Sequence, residues 1–162
     1  MQLFIDTPVG VLSLTADDKA LIGVSFGGGK AGLRRSQELS GGAGEILREV
    51  RRQLTEYFAG ERREFDFHRL PLRLSGTDFT QKVGRALLEI PYGEVRTYGE
   101  IAAAVDSPRA ARAIGGACHR NPVCIIVPCH RVIGAGNRLT GFGGGMGVKS
   151  WLLTHEGVDG IR

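Results

Sequence analysis

A thiol, an imidazole and a guanidinium stand side by side in the second half of the chain, at Cys129, His130 and Arg131. They follow an apolar, β-branched run over 123–127, which predicts a buried strand, and then Pro128, which has no N–H with which to extend a sheet. Nearby positive charge lowers the pKa of a cysteine, so that the nucleophilic thiolate is populated. The motif predicts nucleophilic chemistry at Cys129, although an isolated Cys-His pair also fits a buried structural thiol.

Three cysteines, Cys118, Cys124 and Cys129, lie within twelve residues of one another, and the chain has no others. An odd, clustered set is a poor disulfide framework and is typical of a reducing compartment. Together with His119 and His130 the thiols lack the paired spacing of a zinc site, and a strand would direct Cys124 and Cys129 to opposite faces. We therefore expect thiol chemistry, with no metal and no other cofactor.

Charge and hydropathy limit the classes of partner. The 162 residues are 42% hydrophobic, and they include no apolar run of about 18 residues and no basic, apolar leader. We expect a cytoplasmic protein that does not contact a membrane. The net charge is +4, and the segment from Arg96 to Lys149 has seven basic residues against two acidic ones. Such a segment suits a polyanion such as DNA, although a merely solvated basic face is common too.

The first half of the chain, residues 1–75, predicts a scaffold domain without a group of catalytic side chains. Alternating apolar residues over 3–26 predict an antiparallel meander. Apolar residues spaced for one helix face predict a helix over 45–58 that ends at Gly60. The remaining expectations for this half are a mobile loop between Gly27 and Gly42, a short strand around Phe65 and Phe67, and a linker over 69–76.

The second half, residues 76–162, predicts a mostly helical domain. An apolar stripe predicts a helix over 78–90, and the capping-box spacing of Thr97 and Glu100 predicts the start of another that runs to about Val105. Ser107 and Pro108 then suit the cap and first position of a helix that runs to about His119, which makes a helix-turn-helix. A glycine-rich loop over 134–147 and a last helix over 148–155, ended by Gly157, complete the pattern.

The segment from about Phe79 to Gly157 resembles the active-site half of the O6-alkylguanine-DNA alkyltransferases. The matching motifs are Asn121-Pro122, Ile125-Ile126-Val127-Pro128-Cys129-His130-Arg131-Val132, Gly141-Phe142-Gly143-Gly144-Gly145 and Lys149-Ser150-Trp151-Leu152-Leu153-Thr154-His155-Glu156-Gly157. The resemblance implies an α/β protein of the α+β type. Its N-terminal part would be a ribonuclease H-like antiparallel sheet with a helix, and its C-terminal domain would hold the helix-turn-helix, the DNA-binding surface and the active site. Some relatives carry zinc in the N-terminal half, which here has no cysteine and, among histidines, only His68 near its end, so we expect that site to be absent.

The resemblance also implies a reaction, the stoichiometric and irreversible transfer of the alkyl group from O6-alkylguanine in DNA to Cys129. O4-alkylthymine is a second candidate substrate. His130 would act as the base through a water, and Glu156 would orient and charge its imidazole. Tyr98 would donate to guanine N3 as the base leaves, and Asn121 would hold the turn before the active-site strand through its side-chain amide.

By the same resemblance the partner is double-stranded DNA containing alkylated guanine, bound by a monomer through the minor groove. Arg112 would fill the gap left by a base rotated out of the stack, while Arg131 would be structural. The other implied DNA contacts are Ala111, Gly115, Gly116 and Arg120, and the implied substrate pocket is Val132, Phe142, Gly143 and Gly144. Some relatives have Tyr and Ser where this chain has Phe142 and Gly143, which leaves the substrate range open.

Three alternatives remain at the level of sequence. A non-catalytic binder of alkyl-damaged DNA would keep the helix-turn-helix but lack the nucleophile. A helix-turn-helix regulator would be expected to carry polar base-reading side chains, whereas the second helix is mostly Ala and Gly. A cysteine hydrolase would turn over repeatedly and be indifferent to DNA.

Overall fold

A computed structural model describes residues 1–27 and 38–162, so most of the loop predicted between Gly27 and Gly42 lies outside the described residues. The chain divides into two compact units, Met1–Leu74 and Ser75–Arg162, each with its own hydrophobic core. Within the described ranges, no helix is both long enough and apolar enough to cross a membrane.

The first unit contains three strands and one long helix. Strands β1 (Gln2–Thr7), β2 (Gly10–Ala16) and β3 (Leu21–Phe26) form an antiparallel sheet in the order β1-β2-β3, which confirms the predicted meander. Helix α1 (Gly41–Phe58) packs against this sheet. The fully buried side chains between them include Leu12, Leu14, Val24, Leu47, Val50 and Leu54.

Helix α1 begins four residues earlier than predicted, because glycines that suggest a loop form its first turn. A Cβ on Gly42 would lie 2.6 Å from the Asp18 carbonyl oxygen, and one on Gly44 would lie 2.6 Å from the Leu39 carbonyl carbon. The Asp18 carboxylate accepts a hydrogen bond from the Ala43 N–H at 3.1 Å. The glycines therefore let the helix start in contact with the turn that follows β2.

One prediction for the end of this unit is wrong. Residues Phe65–Phe67 do not form a strand, because the buried amide of Gln53 takes both backbone groups of Asp66, accepting from its N–H at 2.8 Å and donating to its carbonyl at 3.2 Å. The segment predicted as a linker over 69–76 contains the boundary between the two units, and its first half is anchored by the fully buried Leu70. It also pairs with the start of β3, where the Leu21 N–H donates to the Pro71 carbonyl at 2.8 Å.

The second unit contains four helices and a two-stranded parallel sheet among its described elements. The helices are α2 (Asp78–Leu88), α3 (Tyr98–Ala104), α4 (Ala111–His119) and α5 (Met146–His155), and β4 (Arg96–Thr97) pairs with β5 (Val132–Ile133). The Thr97 hydroxyl accepts from the Glu100 N–H at 3.1 Å, as the capping-box spacing predicts. The helix-turn-helix is formed by α3 and α4.

Helix α4 begins later than predicted, and Ser107 is not its cap. The Ala110 N–H donates to the Ser107 carbonyl at 2.9 Å, which closes a separate turn, and Ala110 occupies the N-cap position. Asp106 before this turn has a left-handed φ of 58°. This conformation redirects the chain between the two helices, so that the first helical turn forms only after Ala110.

The apolar run over 123–127 is a buried turn, and the strand predicted there is wrong. The Val127 N–H donates to the Val123 carbonyl at 3.0 Å, and Ile125 has a φ of 71°. A 3₁₀ turn, Cys129–Arg131, follows and leads directly into β5. Both turns are almost fully buried, so the site below lies in the core of the second unit.

Candidate active site

Cys129 is mounted on the 3₁₀ turn that connects the buried turn to β5, and it is 3% exposed. The side chain of Asn121 fixes the buried turn from both sides. Its Oδ1 accepts from the Val123 N–H at 3.0 Å, and its Nδ2 donates to the Val127 carbonyl at 2.8 Å. Asn121 thus replaces the sheet hydrogen bonds that a strand would have supplied, and it determines where the Cys129 sulfur lies.

Three groups hold the pKa of Cys129 below its usual value against the effect of burial. The Cys124 thiol and the Asn121 side chain, which lie beside the sulfur, favour its ionised form, and the Lys149 ammonium supplies positive charge. Two expectations are therefore corrected. Cys124 shares a face with Cys129 because the turn folds back, and the stabilising charge comes from Lys149 and not from the adjacent Arg131.

The other two cysteines are protonated neighbours. Burial and the negative charge of Cys129 raise the pKa of Cys118 to about 12. The neighbouring Cys129 and burial raise the pKa of Cys124, whose thiol donates to the Asn121 carbonyl at 3.6 Å. All three cysteines are free thiols, and the described residues contain no cluster of His, Cys, Asp or Glu side chains arranged to hold a metal ion. Of the three thiols, Cys129 therefore has the lowest pKa and is the one most readily ionised.

The Glu156 carboxylate makes hydrogen bonds with both residues that follow Cys129. Its Oε2 contacts His130 Nε2 at 2.8 Å, and its Oε1 accepts from Arg131 Nε at 2.7 Å. Arg131 also donates to Glu156 Oε2 at 3.1 Å and to the Ile90 carbonyl at 2.7 Å. Burial alone would raise the pKa of Glu156, but the hydrogen bonds from His130 and Arg131 and the charge of Arg131 outweigh it and lower the pKa. The guanidinium hydrogen bonds of Arg131 thus link Glu156 to the end of α2.

His130 is neutral and has one defined tautomer. Complete burial, reinforced by the charges of Arg131 and Lys149, lowers its pKa despite the opposing effect of Glu156. Because the Glu156 carboxylate accepts at Nε2, that nitrogen carries the proton. Nδ1 is then the basic nitrogen, and within the described part of the chain it is buried without a hydrogen-bond partner. His130 is consequently ready to accept a proton at Nδ1.

Tyr98 is linked to Lys149 through Thr140. The phenol oxygen of Tyr98 lies 2.6 Å from Thr140 Oγ1, and Lys149 Nζ donates to the same Oγ1 at 2.9 Å. Lys149 also donates to the Val132 carbonyl at 2.6 Å. Burial raises the pKa of Tyr98, although its hydrogen bond to Thr140 opposes this, so the phenol is protonated at neutral pH.

The remaining predicted site residues fall on two surfaces. Helix α4 buries Ile114 and Ala117 and exposes Arg112. A Cβ on Gly115 would lie 3.8 Å from the Tyr98 ring, and one on Gly116 would lie 3.2 Å from the guanidinium of Arg120. On α4, Ala111 is half-buried. The second group lies on β5 and the loop that leads from it to α5: Val132, in β5, is buried, while in the loop Phe142 and Gly144 are half-buried and Gly143 is exposed.

The sequence did not single out Cys124, Thr140 or Lys149 as parts of the site. One signal was available, because Lys149, Leu152, Leu153 and Glu156 have the spacing of one helix face. Leu152 and Leu153 are apolar, so this pattern places a lysine and a glutamate on the buried side of α5, where both are found. Cys124 and Thr140 carry no comparable local signal.

Two family models match the chain. The model of the 6-O-methylguanine DNA methyltransferase ribonuclease-like domain matches residues 2–74, and that of the 6-O-methylguanine DNA methyltransferase DNA binding domain matches residues 78–158. The methylated-DNA–protein-cysteine methyltransferase of Methanosarcina acetivorans is 47% identical over 152 residues, which are 94% of this chain and 95% of that protein. The corresponding protein of Mycolicibacterium paratuberculosis is 44% identical over 157 residues, 94% of this chain and 89% of that one.

Solved structures give the same assignment. The crystal structure of Mycobacterium tuberculosis O6-methylguanine methyltransferase is 45% identical in sequence, has a TM-score of 0.79 and is matched over 96% of this chain and 91% of that chain. A crystal structure of the same organism's protein in complex with DNA is 46% identical, with the same TM-score and coverage.

Replacing Lys149 with methionine should move the ionisation of Cys129 to higher pH, because the positive charge that favours the thiolate is lost. The measurement is the pH dependence of Cys129 alkylation by iodoacetamide, read by peptide mapping. Lys82→Met, at an exposed position of α2, is the matched control and should leave the profile unchanged. An unshifted profile in Lys149→Met would show that the charge of Lys149 does not reach the thiol.

Acid should destabilise the protein partly through Glu156. Its pKa is lower in the folded chain than the ordinary 4.5, so its contribution is complete above about pH 4.5 and is lost as the pH falls further. In urea titrations, the unfolding free energy should fall more steeply between about pH 5 and pH 3 in the wild type than in Glu156→Gln. The variant should also be less stable at pH 7 by roughly 3 kcal/mol, because Arg131 is left buried and unpaired.

The control for this titration is Glu89→Gln, an exposed residue at the end of α2, which should keep the wild-type pH dependence. Equal slopes in the wild type and Glu156→Gln would contradict the lowered pKa of Glu156.

Proposed function

The chain belongs to the 6-O-methylguanine DNA methyltransferase family, and we propose that Cys129 is the residue that accepts the alkyl group. The protein is an enzyme of DNA repair by direct alkyl transfer, as are the methylated-DNA–protein-cysteine methyltransferases that it resembles over nearly its whole length. The observation that supports Cys129 as acceptor is the pairing of a thiol of lowered pKa with a neutral histidine whose Nδ1 is unpartnered.

The transfer is a displacement at the alkyl carbon. The proton of the Cys129 thiol passes to His130 Nδ1, directly or through a water, and Glu156 stabilises the imidazolium that results. The sulfur then forms a bond to the alkyl carbon as the bond from that carbon to guanine O6 breaks, and the electron pair of the broken bond stays on the purine. A thioether has no easy route back to a thiolate, so each molecule repairs one base.

The leaving purine needs donors where its charge develops. Tyr98, protonated and half-buried, donates to N3, and the exposed Gly143 N–H donates to O6. The carbonyls of Cys129 and Val132 accept from the exocyclic amine of guanine. Val132 already accepts from Lys149, which leaves its second lone pair for the base. Phe142 stacks on the base, and Gly144 with Gly143 lets the loop pass close to its edge.

DNA binds through α4 in the minor groove. The small residues Ala111, Gly115 and Gly116 allow close approach, Arg120 contacts the backbone, and the exposed Arg112 enters the stack in place of the rotated base. We propose that the protein acts as a monomer. The three free thiols support a reducing compartment such as the cytoplasm.

O4-alkylthymine remains a second candidate substrate.

The alternatives are less well supported. A binder without transfer chemistry has no use for a buried thiol of lowered pKa beside a neutral histidine, and both are present here. A regulator that reads the major groove would need polar side chains along α4, where Ala and Gly prevail.

The decisive experiment is intact-protein mass spectrometry after equimolar protein is mixed with a duplex that carries one O6-methylguanine. One methyl group should be added, peptide mapping should place it on Cys129, and excess duplex should add no second methyl. Cys129→Ser should gain none, while Cys118→Ser should gain one. Binding of the lesion without transfer would refute the proposal and favour a damage-binding protein.

Replacing Arg112 with alanine should slow transfer from duplex DNA at least about tenfold, because unstacking a base costs a few kcal/mol that this side chain offsets. Transfer from the free base O6-methylguanine, which needs no rotation, should be unchanged. Arg51→Ala, exposed on α1, is the control and should match the wild type on both substrates. Equal slowing of both substrates would argue against a role for Arg112 in base rotation.

A further inference from the structure

Thr140 lies between a buried cation and the phenol proposed to protonate the leaving base. Its hydroxyl oxygen is 2.9 Å from Lys149 Nζ and 2.6 Å from the Tyr98 oxygen. The ammonium is fixed in turn by the Val132 carbonyl at 2.6 Å, and Lys149 is 1% exposed. The three polar groups therefore form one continuous chain that ends at the Tyr98 phenol.

The ammonium sets the direction of this chain. A lysine ammonium donates and never accepts, so Thr140 must accept from Lys149 and still has its own proton to donate. The Tyr98 oxygen is the other polar atom within reach of that hydroxyl in the described structure. If Thr140 donates to Tyr98, the phenol keeps its proton for a further acceptor. The opposite direction would direct the Tyr98 proton away from the pocket and leave the Thr140 proton without an acceptor.

We propose that Thr140 is a positioning residue for the alkyl transfer, which orients the Tyr98 O–H toward guanine N3 and stabilises the charge that develops on the phenol oxygen. This inference rests on the proposed function of Tyr98 as the donor to the leaving base. As the electron pair of the breaking C–O bond enters the purine, the Tyr98 proton shifts toward N3 and negative charge grows on the phenol oxygen. The Thr140 hydroxyl, polarised by Lys149, faces that charge. The proton given up by Cys129 balances the one that guanine gains.

The backbone around Thr140 holds it in place. The Gly134 N–H donates to the Arg138 carbonyl at 2.9 Å, which closes the loop just before Thr140. A Cβ on Gly134 would lie 3.1 Å from Thr140 Cγ2, so glycine at this position leaves room for the threonine methyl group. Both the polar and the apolar branch of Thr140 thus have defined neighbours, and its rotamer is fixed.

The test compares Thr140→Val, which has nearly the same shape without the hydroxyl, with Thr140→Ser, which keeps the hydroxyl. Single-turnover methyl transfer is measured on two duplexes, one with O6-methylguanine and one with its 3-deaza analogue, in which carbon replaces N3. Thr140→Val should slow transfer from O6-methylguanine about tenfold, the value of one good hydrogen bond. Thr140→Ser should stay close to the wild type. On the 3-deaza duplex, which cannot accept from Tyr98, the valine variant and the wild type should react at similar rates.

Tyr98→Phe provides a second, independent readout, because adding Thr140→Val to it should cause little further loss. Thr154→Val, exposed on α5, is the matched control. The inference is refuted if Thr140→Val reacts at the wild-type rate, if it slows both duplexes equally, or if its effect persists in the Tyr98→Phe background. Each of these outcomes is read in a protein that still methylates Cys129. Failure of the wild type to methylate Cys129 would instead refute the proposed function itself.

Discussion

The second unit depends on one buried anion. The Glu156 carboxylate, 4% exposed, is shared between His130 and Arg131, and Arg131 reaches on to the Ile90 carbonyl just after α2. Burying this carboxylate without partners would cost several kcal/mol, so His130 and Arg131 must both reach it. The end of α5, the 3₁₀ turn and the end of α2 are therefore held together at one point. The Glu156 contact directs the proton of His130 to Nε2, while burial keeps the imidazole neutral. The interaction that closes the fold is therefore also the one that sets the tautomer of the base.

Lys149 in α5 is a second buried charge, about two helical turns before Glu156. Lys149 and Glu156 lie on the same face, and each governs a different part of the chemistry. Lys149 acts on the Cys129 thiol and on the Thr140 hydroxyl, whereas Glu156 acts on the imidazole. Burial lowers the pKa of Lys149, whereas Cys129 and Cys118 raise it. The charge of Lys149 therefore depends in part on the Cys129 thiol whose ionised form it favours. The packing of this one short helix thus positions the groups that act on the nucleophile Cys129, on the base His130 and on the donor to the leaving base, Tyr98.

Much of the fold could be predicted because its signals are local. The meander, the Thr97 cap and the helix end at Gly60 depend on residues close in sequence. The two false strands, over 123–127 and around Phe65, have a common cause, because the amide of Asn121 or Gln53 supplies the hydrogen bonds that a neighbouring strand would have supplied. Cys129, His130 and Glu156 could be named from a motif and a family resemblance. Cys124, Thr140 and the effect of Lys149 depend on contacts that only the folded chain creates.

The burial of Cys129 has a consequence for the lifetime of the protein. A thiolate of lowered pKa in open solvent would react with peroxides and small electrophiles, since reactivity follows both ionisation and access. Here the sulfur is 3% exposed and is surrounded by Cys124, Asn121 and the turn that holds them. A molecule that acts once cannot be regenerated after an accidental reaction. The close packing around the Cys129 sulfur therefore protects the unreacted thiol from electrophiles in solution until the substrate base enters the site.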